Sequence, residues 1–121
     1  MDPVTGLSLG RVVVGIMALV APSATAKLFG IDAAANPQLG LFSRMFGARE
    51  IALGAVTLVS KGALRRNLTA VGIAVDGADV ASGVVEIGTG GAPKLQGGAL
   101  VGVALGAVGV GVAALASQRG K

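Results

Sequence analysis

Four apolar runs, residues 4–21, 39–60, 68–87 and 95–117, each 18 to 23 residues long, dominate this sequence. A helix crosses the hydrocarbon core of a bilayer with roughly 20 apolar residues at 1.5 Å of rise each. Each run is therefore a candidate span, and little chain remains between them. Only 13% of the residues are charged, where a soluble domain carries about a quarter. With 121 residues there is room for a single domain. The expectation is an all-α, integral membrane four-helix bundle occupying residues 1–121.

The side-chain inventory narrows the chemistry. With no Cys and no His, the chain lacks thiolate nucleophiles, imidazole bases and the usual zinc, haem and iron–sulfur ligands. A hydroxyl nucleophile would have only carboxylates or lysines as its base. The aromatics are three Phe, with no Trp or Tyr, too few for base or flavin stacking. The net charge of +4 draws no basic face interleaved with aromatics. The expectation is no enzyme, no cofactor, no metal site and no nucleic-acid partner; the partners expected are membrane lipids, with a homo-oligomer or a larger membrane complex.

If all four runs span, both termini and the 61–67 loop share one side. That side carries Lys61, Arg65, Arg66, Arg119 and Lys121, against Lys27 and Lys94 on the other. The excess of positive charge places the termini in the cytoplasm and the chain in the cell membrane as a multi-pass protein. Residues 22–38, with Asp32, Asn36 and Pro37, read as a short outer excursion holding a helical turn and ending in a tight turn. A lesser reading takes residues 12–21, followed by Pro22 and Ala24-Thr25-Ala26, as the core of a cleaved leader.

Charges inside spans oppose insertion by about 2.5–3.5 kcal/mol each on the translocon scale and need partners. Arg11 lies in the first run, Arg44, Arg49 and Glu50 in the second, and Asp76, Asp79 and Glu86 in the third. Antiparallel alignment sets Arg49 and Glu50 at the depth of Asp76 and Asp79. In the third run Gly72, Asp76, Asp79, Gly83 and Glu86 recur at steps of four, three, four and three, forming one polar, close-packing stripe. The pairing expected is Arg49, as the central cation, with Asp76 or Asp79; Arg44 with the outer carboxylates; and Arg11 with Glu50. Three arginines then face four carboxylates. The surplus negative charge calls for a bound proton or cation.

The fourth run has no charge but repeats glycine at 98, 102 and 106. Such a double GxxxG stripe lets another helix backbone approach closely. Gly98, Gly102 and Gly106 are expected to pack inside the bundle, with self-association as the alternative. Neither Gly109-Val110-Gly111 nor the glycine-rich 88–94 segment has the context of a nucleotide-binding loop.

The segment Arg44-Met45-Phe46-Gly47-Ala48-Arg49-Glu50-Ile51-Ala52-Leu53-Gly54, followed by Asp76-Gly77-Ala78-Asp79, resembles small four-helix bacterial membrane proteins of uncharacterised families, loosely like the DoxX-type bundles. The resemblance covers about the middle third of the chain and implies a four-helix membrane fold with no defined activity. The function expected is a non-enzymatic accessory or interaction subunit. The alternative is a small proton-coupled transporter or lipophile-binding protein in which Asp76 and Asp79 titrate, tuned by Arg49 and Arg44.

Overall fold

The computed structural model describes residues 2–28, 30–31, 34–35, 37–91 and 94–119, without the side chain of Arg119. Five helices account for its regular structure: α1 (Pro3–Val20), α2 (Pro22–Leu28), α3 (Leu39–Val59), α4 (Gly62–Gly88) and α5 (Lys94–Arg119). The protein is all-α. Three helices, α1, α4 and α5, are long and apolar enough to cross a membrane, which marks the chain as a membrane protein. The 21-residue α3 carries Arg44, Arg49 and Glu50 and is not one of these three. Asp32 and Asn36 of the expected turn, and Lys121, lie outside the described residues.

Local chemistry sets the helix boundaries. Asp2 caps α1, accepting from the Thr5 N–H at 3.0 Å, and Pro3 supplies a first helical residue that needs no N–H partner. The bond from the Thr5 N–H, more than the nearby Arg65, lowers the Asp2 carboxyl to about 2. The cap therefore stays ionised at neutral pH and is lost only as pH falls from the ordinary carboxyl range through about 2. The link between α3 and α4 is two residues, Ser60 and Lys61, and Gly62 at φ +61° turns the chain into α4. Residues 62–67 of the expected 61–67 loop are thus the first turns of α4. Arg65, Arg66 and Asn67 interrupt the apolar run, but they are compatible with helix.

The long helices pack as two antiparallel pairs, α1 with α3 and α4 with α5, joined mainly through α1 against α5 and more lightly through α3 against α4. At one end Asp2, Arg65, Arg66 and Gln118 surround a small pocket, so the N-terminus, the α3–α4 link and the end of α5 are neighbours. The α2 segment lies at the opposite end. There Gly30 sits near Gln96 at the start of α5.

The α1–α3 seam is built from small residues. Ser8, Arg11, Gly15 and Ala18 are buried on α1, and Gly47, Glu50, Gly54 and Thr57 on α3, both at helical steps of three and four. A Cβ at Gly47 would lie 2.5 Å from the Gly15 carbonyl oxygen, and one at Gly54 2.7 Å from the Ser8 carbonyl oxygen. Backbone meets backbone here, as small residues permit in membrane helix pairs. The α5 stripe behaves otherwise. Gly98, Gly102 and Gly106 are exposed and a Cβ at any of them meets nothing within 4 Å, so the expected packing inside the bundle is not what these glycines do. The seam falls instead where α1 and α3 must approach to bring Arg11 onto Glu50.

Polarity is arranged inside-out. The buried polar set includes Ser8, Arg11, Glu50, Thr57, Thr69 and Asp76, whereas Val13, Ile16, Leu41, Met45, Val84 and Val112 face outward. Apolar solvent on the outside and partnered polar groups inside account for this distribution. Ala substitutions separate the seam from the exposed stripe. Gly47→Ala and Gly54→Ala should each destabilise the protein by about 1–3 kcal/mol through backbone overlap, whereas Gly102→Ala should be neutral or stabilising, as read by denaturant unfolding in detergent.

Candidate functional site

Arg11, near the middle of α1, is 7% exposed and is held by carboxylates from two other helices. Its Nη1 donates to Glu50 Oε2 at 3.0 Å and to Asp76 Oδ1 at 3.1 Å, while Nη2 donates to Asp76 Oδ2 at 2.5 Å. The bond pair to Asp76 is the parallel fork that guanidinium and carboxylate planes favour. Gly72, one turn before Asp76, makes room for it, because a Cβ there would lie 2.9 Å from Arg11 Nη2. The Gly72–Asp76 spacing of the sequence is thus a slot and a ligand for one guanidinium.

Arg49 forms an outer layer. Its Nη2 donates to Asp79 Oδ2 at 2.8 Å and to Glu50 Oε1 at 3.2 Å, and its Nη1 reaches Asp79 Oδ1 at 3.3 Å. The guanidinium also lies 5.1 Å from the centre of the Phe46 ring, within cation–π range. Glu50 therefore bridges both arginines, one to each oxygen. The side chain of Arg49 is 40% exposed against 7% for Arg11, so the central cation is Arg11 and not Arg49. The expectation left Arg49 between Asp76 and Asp79, and its contacts are to Asp79, while Arg11 contacts Glu50. It missed that Asp76, buried on the inner face of α4, belongs to Arg11.

Two expected members stand apart. Arg44 meets no carboxylate among the described residues; its Nε donates to the Leu19 carbonyl at 3.3 Å and caps the end of α1. Its neighbour Ser43 donates to the Ala18 carbonyl at 2.8 Å. Glu86 is exposed near the end of α4 and has no ion pair among the described residues. The reason is rotation about the helix axes: a step of five residues from Arg49 to Arg44 turns about 140°, carrying Arg44 to the α1 side of α3.

Beside this cluster, and on towards α2, a cleft of about 710 Å³ lies between the two helix pairs. Arg11, Glu50, Asp76 and Asp79 contribute the charged part of its wall; Val14, Phe42, Leu100, Val103 and Val110 are among its apolar residues, and Thr25 and Ala26 of α2 lie at its far end. Gly10 also lines it, and a Cβ there would enter open space. The cleft joins an apolar volume to a charged patch in its wall, the combination typical of small-molecule sites. No sequence pattern announced it, because its walls come from five segments and its existence depends on how far the pairs separate. No group of acidic residues that would hold a metal ion occurs among the described residues.

Residues 8–117 match the domain of unknown function DUF4267. The chain belongs to that family. The match takes in all three arginines and all four carboxylates of the expected network. No curated protein and no solved structure matches the chain. A DUF4267 fold built on this cluster should tolerate loss of its arginines unequally. Arg11→Ala, which strands the buried Asp76 and leaves Glu50 with Arg49 alone, should cost about 3–5 kcal/mol and prevent accumulation. Arg49→Ala should accumulate at a substantial fraction of the natural level, and Arg11→Leu with Asp76→Leu should recover much of the loss because Glu50 keeps Arg49, all read by quantitative immunoblot and unfolding in detergent.

Proposed function

We propose that this DUF4267 chain is a non-enzymatic membrane protein that holds a small lipophilic molecule in the cleft between its helix pairs. In this reading α1, α3, α4 and α5 all cross the bilayer as a four-helix bundle, with both termini cytoplasmic. The internal pairing of Arg49 and Glu50 supports a spanning α3, because partnered charges cost far less than isolated ones in hydrocarbon. The excess of Lys and Arg at the termini end supports the orientation. A cytoplasmic reporter fused after residue 121 should be active and one inserted at Gly90 inactive; the reverse would refute the topology.

The observation that carries the binding role is the cleft itself: about 710 Å³ bordered by aliphatic and Phe side chains, with the charged cluster in its wall. Dry, fully closed ion pairs would serve as structural clips alone. Here Asp79 is 36% exposed and lines the cleft, so the cluster is both clip and wall. Filling the cleft tests the role. Gly10→Leu places a side chain in open space at its wall and should raise helix propensity, leaving the fold intact. Protein purified in mild detergent should release a lipophilic component on organic extraction. Gly10→Leu should reduce that component several-fold, and an unchanged yield would contradict the role.

The exposed stripe of Gly98, Gly102 and Gly106 favours a second reading, in which α5 packs against another copy or a larger membrane partner and the chain is an accessory subunit. Gly102→Leu should then lower cross-linked dimer or partner recovery while leaving monomer stability unchanged.

A further inference from the structure

The wall of the cleft has a charge sign. Among its lining residues are three carboxylates, from Glu50, Asp76 and Asp79, and one guanidinium, from Arg11. Arg49 approaches the same carboxylates from outside the lining. Arg44 is engaged by the α1 terminus, and α5 brings no charge to the wall. Counting both arginines of the cluster, two positive charges meet three negative ones, a formal surplus of −1. Such a surplus in a poorly hydrated space demands a positive partner.

The structure also shows where that partner would sit. Both Asp76 oxygens are engaged by Arg11 and the Glu50 oxygens are divided between two arginines. Both Asp79 oxygens accept from Arg49, but at 36% exposure against 6% for Glu50 and Asp76 it is the one carboxylate with open space beside it. It faces a cleft that continues towards Phe42, eight residues or about 12 Å along α3 from Glu50.

Resting on the cleft-binding reading above, we infer that the ligand is an amphipathic cation, an ammonium-type head beside Asp79 with a single alkyl or small apolar tail running towards α2. A neutral or anionic lipophile of the same tail would leave the surplus charge uncompensated or double it. The preference therefore resides in the head, and the capacity in the tail.

The test uses the absence of Trp from the natural chain. Phe42→Trp places a single fluorophore at the cleft, and Val84→Trp places one on the exposed face of α4, outside the lining. Full-length protein in lipid nanodiscs is titrated with three bromine-tipped decyl probes that differ in the head: ammonium, hydroxyl and carboxylate. The ammonium probe should quench Phe42→Trp at a concentration about tenfold or more below the other two, the scale of one charge-assisted hydrogen bond. Val84→Trp should report only bilayer partitioning. The ammonium preference should disappear in Asp79→Asn and also in Ser82→Lys, which adds a cation at the lining and leaves every pair of the cluster intact.

Each result decides between the claims. If no probe quenches Phe42→Trp beyond the Val84→Trp control, the cleft-binding reading falls and the inference with it. If the hydroxyl or carboxylate probe quenches as well as the ammonium probe, the cleft stands and the cation inference is overturned. If the preference survives Ser82→Lys, the charge account of it is wrong even where Asp79→Asn fails to fold.

Discussion

A guanidinium inside an apolar bundle has to be answered on every side, and the rest of this structure follows from how Arg11 is answered. Glu50 from α3 and Asp76 from α4 reach it together, so a residue of α1 ties three helices at one level. That demand explains the neighbours. Gly72 yields the volume the guanidinium occupies, while Gly15, Gly47 and Gly54 let α1 and α3 approach until backbone touches backbone. Replacing such a cluster by aliphatic side chains can be neutral for stability; what the ions add is registry, because a fork geometry is satisfied at one helix offset and not one turn away.

The second arginine turns a clip into a graded site. Glu50 shares its oxygens between Arg11 and Arg49, coupling the buried pair to the half-exposed Arg49–Asp79 pair. The cluster thus runs from a closed interior to an open edge across α1, α3 and α4. The cleft begins at that edge, where the separation of α1–α3 from α4–α5 leaves apolar walls without partners.

Much of this was legible in the sequence. Apolar run length gave the long helices, with α3 found within a residue of its expected range. The three-four recurrence of Gly72, Asp76 and Asp79 identified the inner face of α4. Depth matching then narrowed the partner of Arg49 to Asp76 or Asp79, because charges at equal heights in antiparallel helices have few alternatives. What it could not give was rotation. Arg49 and Arg11 sit at similar depths, and only the facing of α1 decides that Arg11 is central. The signal existed in the buried stripe Ser8, Arg11, Gly15 and Ala18, whose small residues at steps of three and four announce a close helix partner. The more conspicuous glycines of α5 point outward, since GxxxG encodes the capacity for close approach and not the direction of the partner. Glu86 and Arg44 failed for a related reason: each lies near a helix end, where interface or backbone carbonyls offer partners that hydropathy cannot distinguish from a carboxylate or arginine across the bundle.

The central claim is that the Arg11 guanidinium is clamped between Glu50 and Asp76 inside the bundle rather than extended to the membrane surface. Solid-state NMR on protein in lipid bilayers, with ¹⁵N-labelled arginine and ¹³C-labelled aspartate and glutamate carboxyls and the Arg11 resonance assigned by its loss in Arg11→Lys, measures this directly. The account predicts strong dipolar coupling of Arg11 to a carboxyl carbon of each residue type, consistent with nitrogen–oxygen distances of 2.5 to 3.1 Å, the aspartate coupling disappearing in Asp76→Asn. Coupling of Arg11 to lipid phosphorus, with none to either carboxyl, would contradict it.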